Sequence, residues 1–220
     1  KKNTMTLLEG DGDFRSPECV ELLKEADIVV TNPPFSLFRD YVALLMQYNK
    51  QFAIIGNQNA ITYREIFPLI KSNKIWLGYN NGHYWFMVPD SYEEKKTDFK
   101  IDESGQKWRR MGNICWFTNL DIEKRHEDMT LFRTYSPDIY PKYDNYDAIE
   151  VSKTADIPCD YDGYMGVPIT FMQYYNPEQF EIAGLDDHRV EWVGHGPRLN
   201  GKVKYRRVII RRKQVNTNEN

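Results

Sequence analysis

Only three cysteines, Cys19, Cys115 and Cys159, occur in the 220 residues. An odd, widely spaced set excludes a disulfide framework and suits a reduced compartment. No apolar run approaches the roughly 20 residues that a membrane-spanning helix requires. Internal repeats and low-complexity tracts are missing, which excludes solenoid and linker-rich architectures. The four histidines, His83, His126, His188 and His195, lack the spacing of metal ligands, so no metal is expected. The opening Lys1-Lys2-Asn3-Thr4 has neither an initiator Met nor the apolar stretch of a signal peptide. A cytoplasmic chain is the expectation.

What is present is a globular composition. Hydrophobic residues make up 41% of the chain, enough for one domain, or for one domain and an appendage. The net charge of −3 hides an uneven distribution. Between Arg198 and Lys213 lie eight basic residues and no acidic one; without that charge of +8 the rest of the chain carries −11. A cationic strip on an acidic body suits an anion such as nucleic acid. It equally suits a strand edge guarded by Lys and Arg.

Up to residue 120 the pattern alternates strand and helix. Residues 5–9 read as a short strand. Ser16-Pro17-Glu18 reads as a helix start, with Ser as the cap and Pro at the first helical position. Residues 27–31 are a β-branched run of the kind buried on both faces of a sheet. A helix capped by Ser36 carries Leu37, Tyr41, Leu44, Leu45 and Tyr48 at helical spacing. Residues 52–56 form the next strand, and 62–71 a helix shortened or kinked by Pro68. Residues 75–78 and 113–117 supply two further strands, and the whole predicts an α/β sheet. Residues 80–111 read as an insertion, with an aromatic patch at His83-Tyr84-Trp85-Phe86 followed by a charged loop. That patch suits an unstacked base, and no less a core or interface strand. After 120 the helical signal fades into aromatic and Pro-rich stretches, with short strands expected at 166–171 and 179–184. Asn200-Gly201 predicts a hairpin turn that folds 202–212 into a basic strand. The division expected is a core over 1–120 and a β-rich region over 121–220.

The sharpest chemical signal is Asn32-Pro33-Pro34-Phe35, directly after the strand at 27–31. Each proline fixes φ and keeps the preceding residue out of the helical region, so Asn32 is held at the carboxyl edge of the sheet. The Asn32 side-chain oxygen and a carbonyl of Pro33 or Pro34 can both accept from an NH2 group. Two converging acceptors favour a pyramidal nitrogen and stabilise the positive charge that grows on it during methyl attack. Phe35 offers a face for an aromatic ring. The plainer alternative is a rigid turn.

Asn-Pro-Pro-Phe after a buried strand resembles the catalytic motif of amino methyltransferases, and Gly12-Asp13-Phe14 their motif for the cofactor's adenine. A longer likeness runs through Gly12-Asp13-Phe14-Arg15-Ser16, Thr31 to Arg39, Ile55-Gly56-Asn57, Asn59-Ala60-Ile61-Thr62, Lys74-Ile75-Trp76-Leu77-Gly78, Gly166-Val167-Pro168-Ile169-Thr170-Phe171 and the basic tail. It is similar to the EcoRI-type adenine-specific DNA methyltransferases and covers most of the chain. The resemblance implies a Rossmann-like methyltransferase sheet, S-adenosylmethionine as methyl donor, and the N6 of an adenine flipped out of double-stranded DNA as acceptor, in a restriction-modification setting. It assigns the catalytic role to Asn32, Pro33, Pro34 and Phe35, and cofactor contacts to Asp13, Phe14 and Asn32. Phosphate contacts fall to Arg206, Arg207, Arg211 and Arg212, and target recognition to 121–220.

One departure stands out. Such enzymes hold the methionine end of the cofactor with a Gly-rich turn after their first strand, yet only twelve residues precede Asp13 here and no such turn is among them. A chain cut from a longer enzyme is the expectation. The same tetrapeptide chemistry serves guanine N2 in RNA or a protein glutamine amide, and a nucleic-acid-binding remnant without activity is a further alternative. Pro158-Cys159 resembles a cytosine C5 nucleophile, but that mechanism is redundant beside an amine-directed motif, and Cys159 is read as structural. Asp186-Asp187-His188 is read as a solvated loop.

Overall fold

The computed structural model describes residues 7–81, 84–186 and 196–213. His83, Asp187, His188, His195 and the start of the expected strand at 5–9 lie outside them; its described part, residues 7–9, is not strand. The described residues form a mixed α/β structure with several sheets.

Helix α1 (Pro17–Glu25) begins as its sequence dictates, Ser16 Oγ accepting the Cys19 N–H at 3.2 Å with Pro17 at the first helical position. At its other end Lys50 Nζ donates to the Lys24 and Ala26 carbonyls at 2.7 and 2.8 Å, placing a cation on the negative end of the helix. Strand β1 (Ile28–Thr31) follows. A 3-10 turn, Phe35–Leu37, then leads into α2 (Phe38–Gln47), with no side-chain cap from Ser36. Strand β2 (Gln51–Asn57), a 3-10 segment (Gln58–Thr62), α3 (Phe67–Lys71) and β3 (Trp76–Asn81) continue the chain. Then come β4 (Tyr84–Met87), β5 (Phe99–Ile101), β6 (Lys107–Met111) and β7 (Ile114–Thr118). The remaining strands are β8 (Ala148–Glu150), β9 (Tyr164–Val167), β10 (Phe180–Leu185), β11 (Arg198–Leu199), β12 (Lys202–Val203) and β13 (Val208–Arg212). The strand expected at 166–171 lies earlier, in β9, and gives way at Pro168 to a 3-10 turn, Ile169–Gln173.

The described chain falls into two compact units, one from 7–58 and 84–120, the other from 59–81, 121–186 and 196–213. In the first, β1 pairs in parallel with β2, Ile28 opposite Gln51 and Thr31 opposite Ile54, with α2 as the connection. Strand β2 pairs antiparallel with β7, Ala53 opposite Thr118 and Asn57 opposite Ile114. Helix α2 buries Phe38, Val42 and Leu45, an i, i+4, i+7 stripe. Phe52, Ile54 and Phe117 of the sheet are also fully buried. Each such side chain contributes roughly 1.5–3 kcal/mol of transfer free energy. Phe38 and Phe117 meet at 5.0 Å between ring centroids, and Gly56 lies under them. A Cβ at Gly56 would stand 2.5 Å from the Phe38 ring and 2.9 Å from Phe117. The glycine of the Ile55-Gly56-Asn57 run is therefore there for close packing. Strand β1 departs from expectation: Ile28 and Val30 are 48% and 66% exposed, because one face of this short strand is left uncovered by the described residues.

The segment read as an insertion is an antiparallel sheet of order β4-β6-β5 in the same unit. Its register puts Trp85 opposite Arg110, and Met87 and Lys100 opposite Trp108, on one face. Lys100 Nζ sits 4.7 Å from the Trp85 ring centre. The patch is a surface ribbon; Trp85, Phe86 and Met87 are all exposed.

In the second unit the sheet order is β10-β13-β9-β8. Strand β13 is central and antiparallel to both neighbours, and Val208, Ile209 and Ile210 are fully buried. The expected basic strand over 202–212 is thereby corrected. Asn200-Gly201 does turn a hairpin between β11 and β12, but the chain leaves strand geometry after Val203 and re-enters it at Val208 as core. Arg207, at the entrance to β13, reaches the buried Glu150 of β8 with Nη2 2.6 Å from Oε1. Tyr143 also donates to that carboxylate, and Ser152 Oγ lies 3.2 Å from it. Gly166 leaves room for the arrangement, since a Cβ there would collide with the Tyr143 hydroxyl. Burial pushes the Glu150 carboxyl up, but hydrogen bonds from Arg207 and Tyr143 outweigh it and hold its pKa below the ordinary value. The stability this provides is full at neutral pH and is lost as pH falls through the folded-state value.

Adjacent arginines should therefore behave differently. Arg207→Ala leaves a buried carboxylate unpaired and is expected to lower stability by about 3–5 kcal/mol. Arg206→Ala, at an exposed position, should change it by no more than about 0.5 kcal/mol. Urea unfolding of the two variants checks this; equal losses would contradict the buried pairing.

Candidate active site

Residues 9 and 10 are held against the start of α1 by one side chain. Glu18 accepts the Glu9 N–H at 3.0 and 3.1 Å and the Gly10 N–H at 3.1 Å, a carboxylate on the positive end of the helix. Gly12, at φ +80°, turns the chain in a region that side chains avoid. Asp13 and Phe14 follow directly. From the other direction β1 delivers Thr31 and Asn32 to the carboxyl edge of the sheet. Pro34 stays extended (φ −56°, ψ 126°) and its carbonyl accepts the Leu37 N–H at 2.9 Å. The Pro34 carbonyl is thereby engaged in closing the 3-10 turn.

The two segments converge. Asp11, Gly12, Asp13, Phe14, Thr31, Asn32, Pro33, Pro34, Leu37 and Tyr41 line a single hollow of about 400 Å³. Asn32 is exposed on its wall and Pro33 is buried behind it. Phe35 is not part of that wall; it opens the 3-10 turn with 40% of its surface exposed. Phe14 packs edge-on against Tyr41 of α2, centroids 4.9 Å apart. Beyond this aromatic pair a second, apolar hollow of about 410 Å³ is walled by Cys19, Leu22, Ile28, Val30 and Leu44, sharing Gly12, Phe14 and Tyr41 with the first.

The Asp13 carboxylate is clamped by its neighbour. Arg15 donates from Nη2 to Oδ2 at 2.7 Å and from Nε to Oδ1 at 3.0 Å, and its backbone N–H adds a third bond at 2.8 Å. These hydrogen bonds lower the Asp13 pKa to about 2, so the group is an ionised acceptor at any physiological pH. Asp11, Leu37 and Tyr41 line the hollow, and Arg15 holds Asp13, without the short motifs revealing them. Only the helical spacing of Tyr41 hinted that it points inward.

The four arginines assigned to phosphates lie in the second unit, in different settings. Arg206 is exposed, its Nη1 2.8 Å from Thr62 Oγ1. Arg207 is committed to Glu150, Arg211 pairs with Glu181 at 2.8 Å, and Arg212 donates to the Cys159 carbonyl. The basic residues the strip does present to solvent are Arg198, Lys202, Lys204, Arg206 and Lys213, with Tyr205 next to Arg206. Cys159 is half-buried, and burial pushes the Cys115 thiol up to about 12. His126 is ion-paired with Asp121 at 2.7 Å. Among the described residues no cluster of His, Cys, Asp and Glu is placed to hold a metal ion.

Comparison with known proteins adds an independent line. The family model described as adenine-specific methyltransferase EcoRI matches residues 2–213. The Type II methyltransferase M.EcoRI of Escherichia coli is 51% identical over 214 residues, covering 94% of this chain and 64% of the relative. M.MgeORF184P of Mycoplasma genitalium is 43% identical (97% of this chain, 73% of the relative), and M.MpnI of Mycoplasma pneumoniae 41% identical (94% and 70%). Both are also named Type II methyltransferases. The chain thus spans 64% of the length of M.EcoRI. No solved structure matches.

The clamp on Asp13 is directly measurable. Arg15→Ala should return the Asp13 titration from about 2 toward its ordinary 3.8, read by carboxyl-carbon NMR across acid pH. An unmoved midpoint would show that Arg15 is not the cause.

Proposed function

The chain belongs to the EcoRI family of adenine-specific methyltransferases, and from this premise we propose that it carries the site at which such an enzyme methylates the N6 of adenine in double-stranded DNA, as a Type II modification enzyme. The observation that carries the reading is the single hollow lined by Asp13, Phe14, Asn32 and Pro33. A turn motif alone would not require Asp13 and Phe14 to share a wall with Asn32.

The described residues fit one end of S-adenosylmethionine. Asp13, ionised and at the rim, suits an adenine amino group, and Phe14, backed by Tyr41, suits an adenine ring. When bound, the cofactor supplies an electrophilic methyl group. The remaining chemistry belongs to the chain. The Asn32 amide oxygen and the Pro33 carbonyl accept from the two N–H bonds of the substrate amine. They draw its lone pair out of the ring and stabilise the charge that develops on nitrogen. Both acceptors are pre-set by the proline pair, so little reorganisation accompanies the reaction. Phe35, exposed next to them, offers the extruded base a surface to stack on, and extrusion itself costs a few kcal/mol. The parallel β1–α2–β2 unit is read as part of a Rossmann-like methyltransferase sheet, with residues 1–120 as the catalytic part and 121–220 as the recognition part.

Phosphate contact is assigned to the exposed cations Arg198, Lys202 and Arg206. Arg207, Arg211 and Arg212 serve the protein's own carboxylates and carbonyls.

Two measurements test this function. The complete protein, with labelled cofactor and unmodified duplex DNA, should yield N6-methyladenine on digestion to nucleosides. Asn32→Ala should lower the rate by a factor of about 10²–10³ or more without shifting the unfolding midpoint. Label on guanine N2, on protein, or nowhere would overturn the reading. Separately, Arg206→Ala should reduce the slope of log binding constant against log salt by about one, whereas Arg211→Ala should leave it unchanged.

A further inference from the structure

The second unit contains a cavity of about 590 Å³ beside the Asn200-Gly201 hairpin, lined among others by Phe132, Arg133, Glu150, Ser152, Asp156 and Lys204. Its rim is unusual for a surface in water. Phe132 is 82% exposed and Ile139 68%, two large apolar side chains flanking a polar wall. Isolated exposed apolar residues are ordinary; here both line one polar recess, so an occupant of it would take them out of water together.

The recess is rigid. Its floor carries the Glu150 carboxylate, 4% exposed and held by Arg207 and Tyr143. One wall is fixed by the Tyr140 hydroxyl donating to the Asp156 carbonyl at 2.8 Å, and by the Cys159 N–H donating to the Arg133 carbonyl at 2.8 Å. Opposite, the hairpin is tied down by Asp144, whose carboxylate accepts the Asn200 and Gly201 N–H groups at 3.2 and 2.7 Å, and by the Lys204 N–H bonded to the Pro197 carbonyl at 2.7 Å. The hairpin continues into the exposed run Lys202-Val203-Lys204-Tyr205-Arg206, where Tyr205 is 88% exposed and no residue is acidic.

We propose that this cavity reads base edges of the target DNA, with Phe132 and Lys204 as specificity-determining residues; the proposal rests on the DNA-methyltransferase reading above and extends it. The chemistry matches the occupant. Base edges present both donors and acceptors, and the wall presents both in turn, Arg133 and Lys204 against Asp156 and Ser152. Phosphates alone would call only for the cations. The aromatic rim gives bases a stacking face, and the acid-free hairpin gives the flanking phosphates their counter-charge. Within the wall Arg133 Nε lies 3.4 Å from Asp156 Oδ1; a peptide or a second copy of the chain would exploit the apolar rim, but the acid-free run Lys202 to Arg206 beside it calls for a polyanion.

The test compares kcat/KM of the complete protein, Phe132→Ala and Lys204→Ala on the preferred duplex and on duplexes changed at one base pair. Unchanged unfolding midpoints, expected at two exposed positions, establish that the variants are folded. On the preferred duplex kcat/KM should fall about tenfold or more, and less on the altered duplexes, so that discrimination narrows. An equal fall on every duplex would reduce the cavity to a phosphate contact and overturn the proposal, as would unaltered discrimination in both variants. Altered sedimentation with unaltered kinetics would assign the surface to self-association and likewise overturn it. A parent protein that methylates no duplex would remove the functional reading itself, a failure visible before any variant is made.

Discussion

Pro33 and Pro34 stand directly after β1, and their fixed φ angles keep the chain extended until a 3-10 turn closes at Leu37. Helix α2 consequently begins only at Phe38, and its first residue drops into the core against Phe117, above a glycine that leaves it room. Much of the first unit depends on that timing. An earlier helix start would rotate the Phe38, Val42 and Leu45 stripe off β2 and carry Tyr41 away from Phe14. The same stiffness that orders the core presents Asn32 at the rim, so the acceptor geometry is a by-product of how the strand ends.

The hollow then acquires its polarity from residues near in sequence. Glu18 gathers residues 9–10 onto the helix start and Arg15 folds back onto Asp13, so that an ionised carboxylate and an aromatic ring line the same hollow as Asn32. Local hydrogen bonds thus shape one side of the site and backbone restriction the other.

The second unit shows how burial sorts charge. Arg206 and Arg207 are adjacent and chemically identical, yet one faces solvent and the other neutralises a carboxylate inside the sheet. Composition counts both as cations available to a polyanion. The sheet engages Arg207, Arg211 and Arg212 with the protein's own carboxylates and carbonyls and leaves a short, mixed cationic and aromatic run on a hairpin. The buried Glu150–Arg207 pair also makes the floor of the neighbouring cavity stiff, which favours a recess that discriminates between ligands over one that adapts to them.

Elements whose signals are local were legible in the amino-acid sequence: the Ser16 cap, the Asn200-Gly201 turn, the parallel pair joined by α2, and the proline-stiffened Asn32. Their causes act within a few residues, through φ restriction, capping and periodicity. Less visible were the exposed face of β1, the ribbon from β4 to β6, and the burial of β13. Such features depend on which surfaces meet across long separations. A run such as Val208-Ile209-Ile210-Arg211-Arg212 reads equally well as a basic edge or as a central strand until its neighbours β9 and β10 are in place. The sequence determined the chemical inventory, an amide and a proline carbonyl held rigid at a strand's end. Only the tertiary structure decided which charges reach water and which side chains share a wall, because solvent exposure and proximity are properties of packed surfaces.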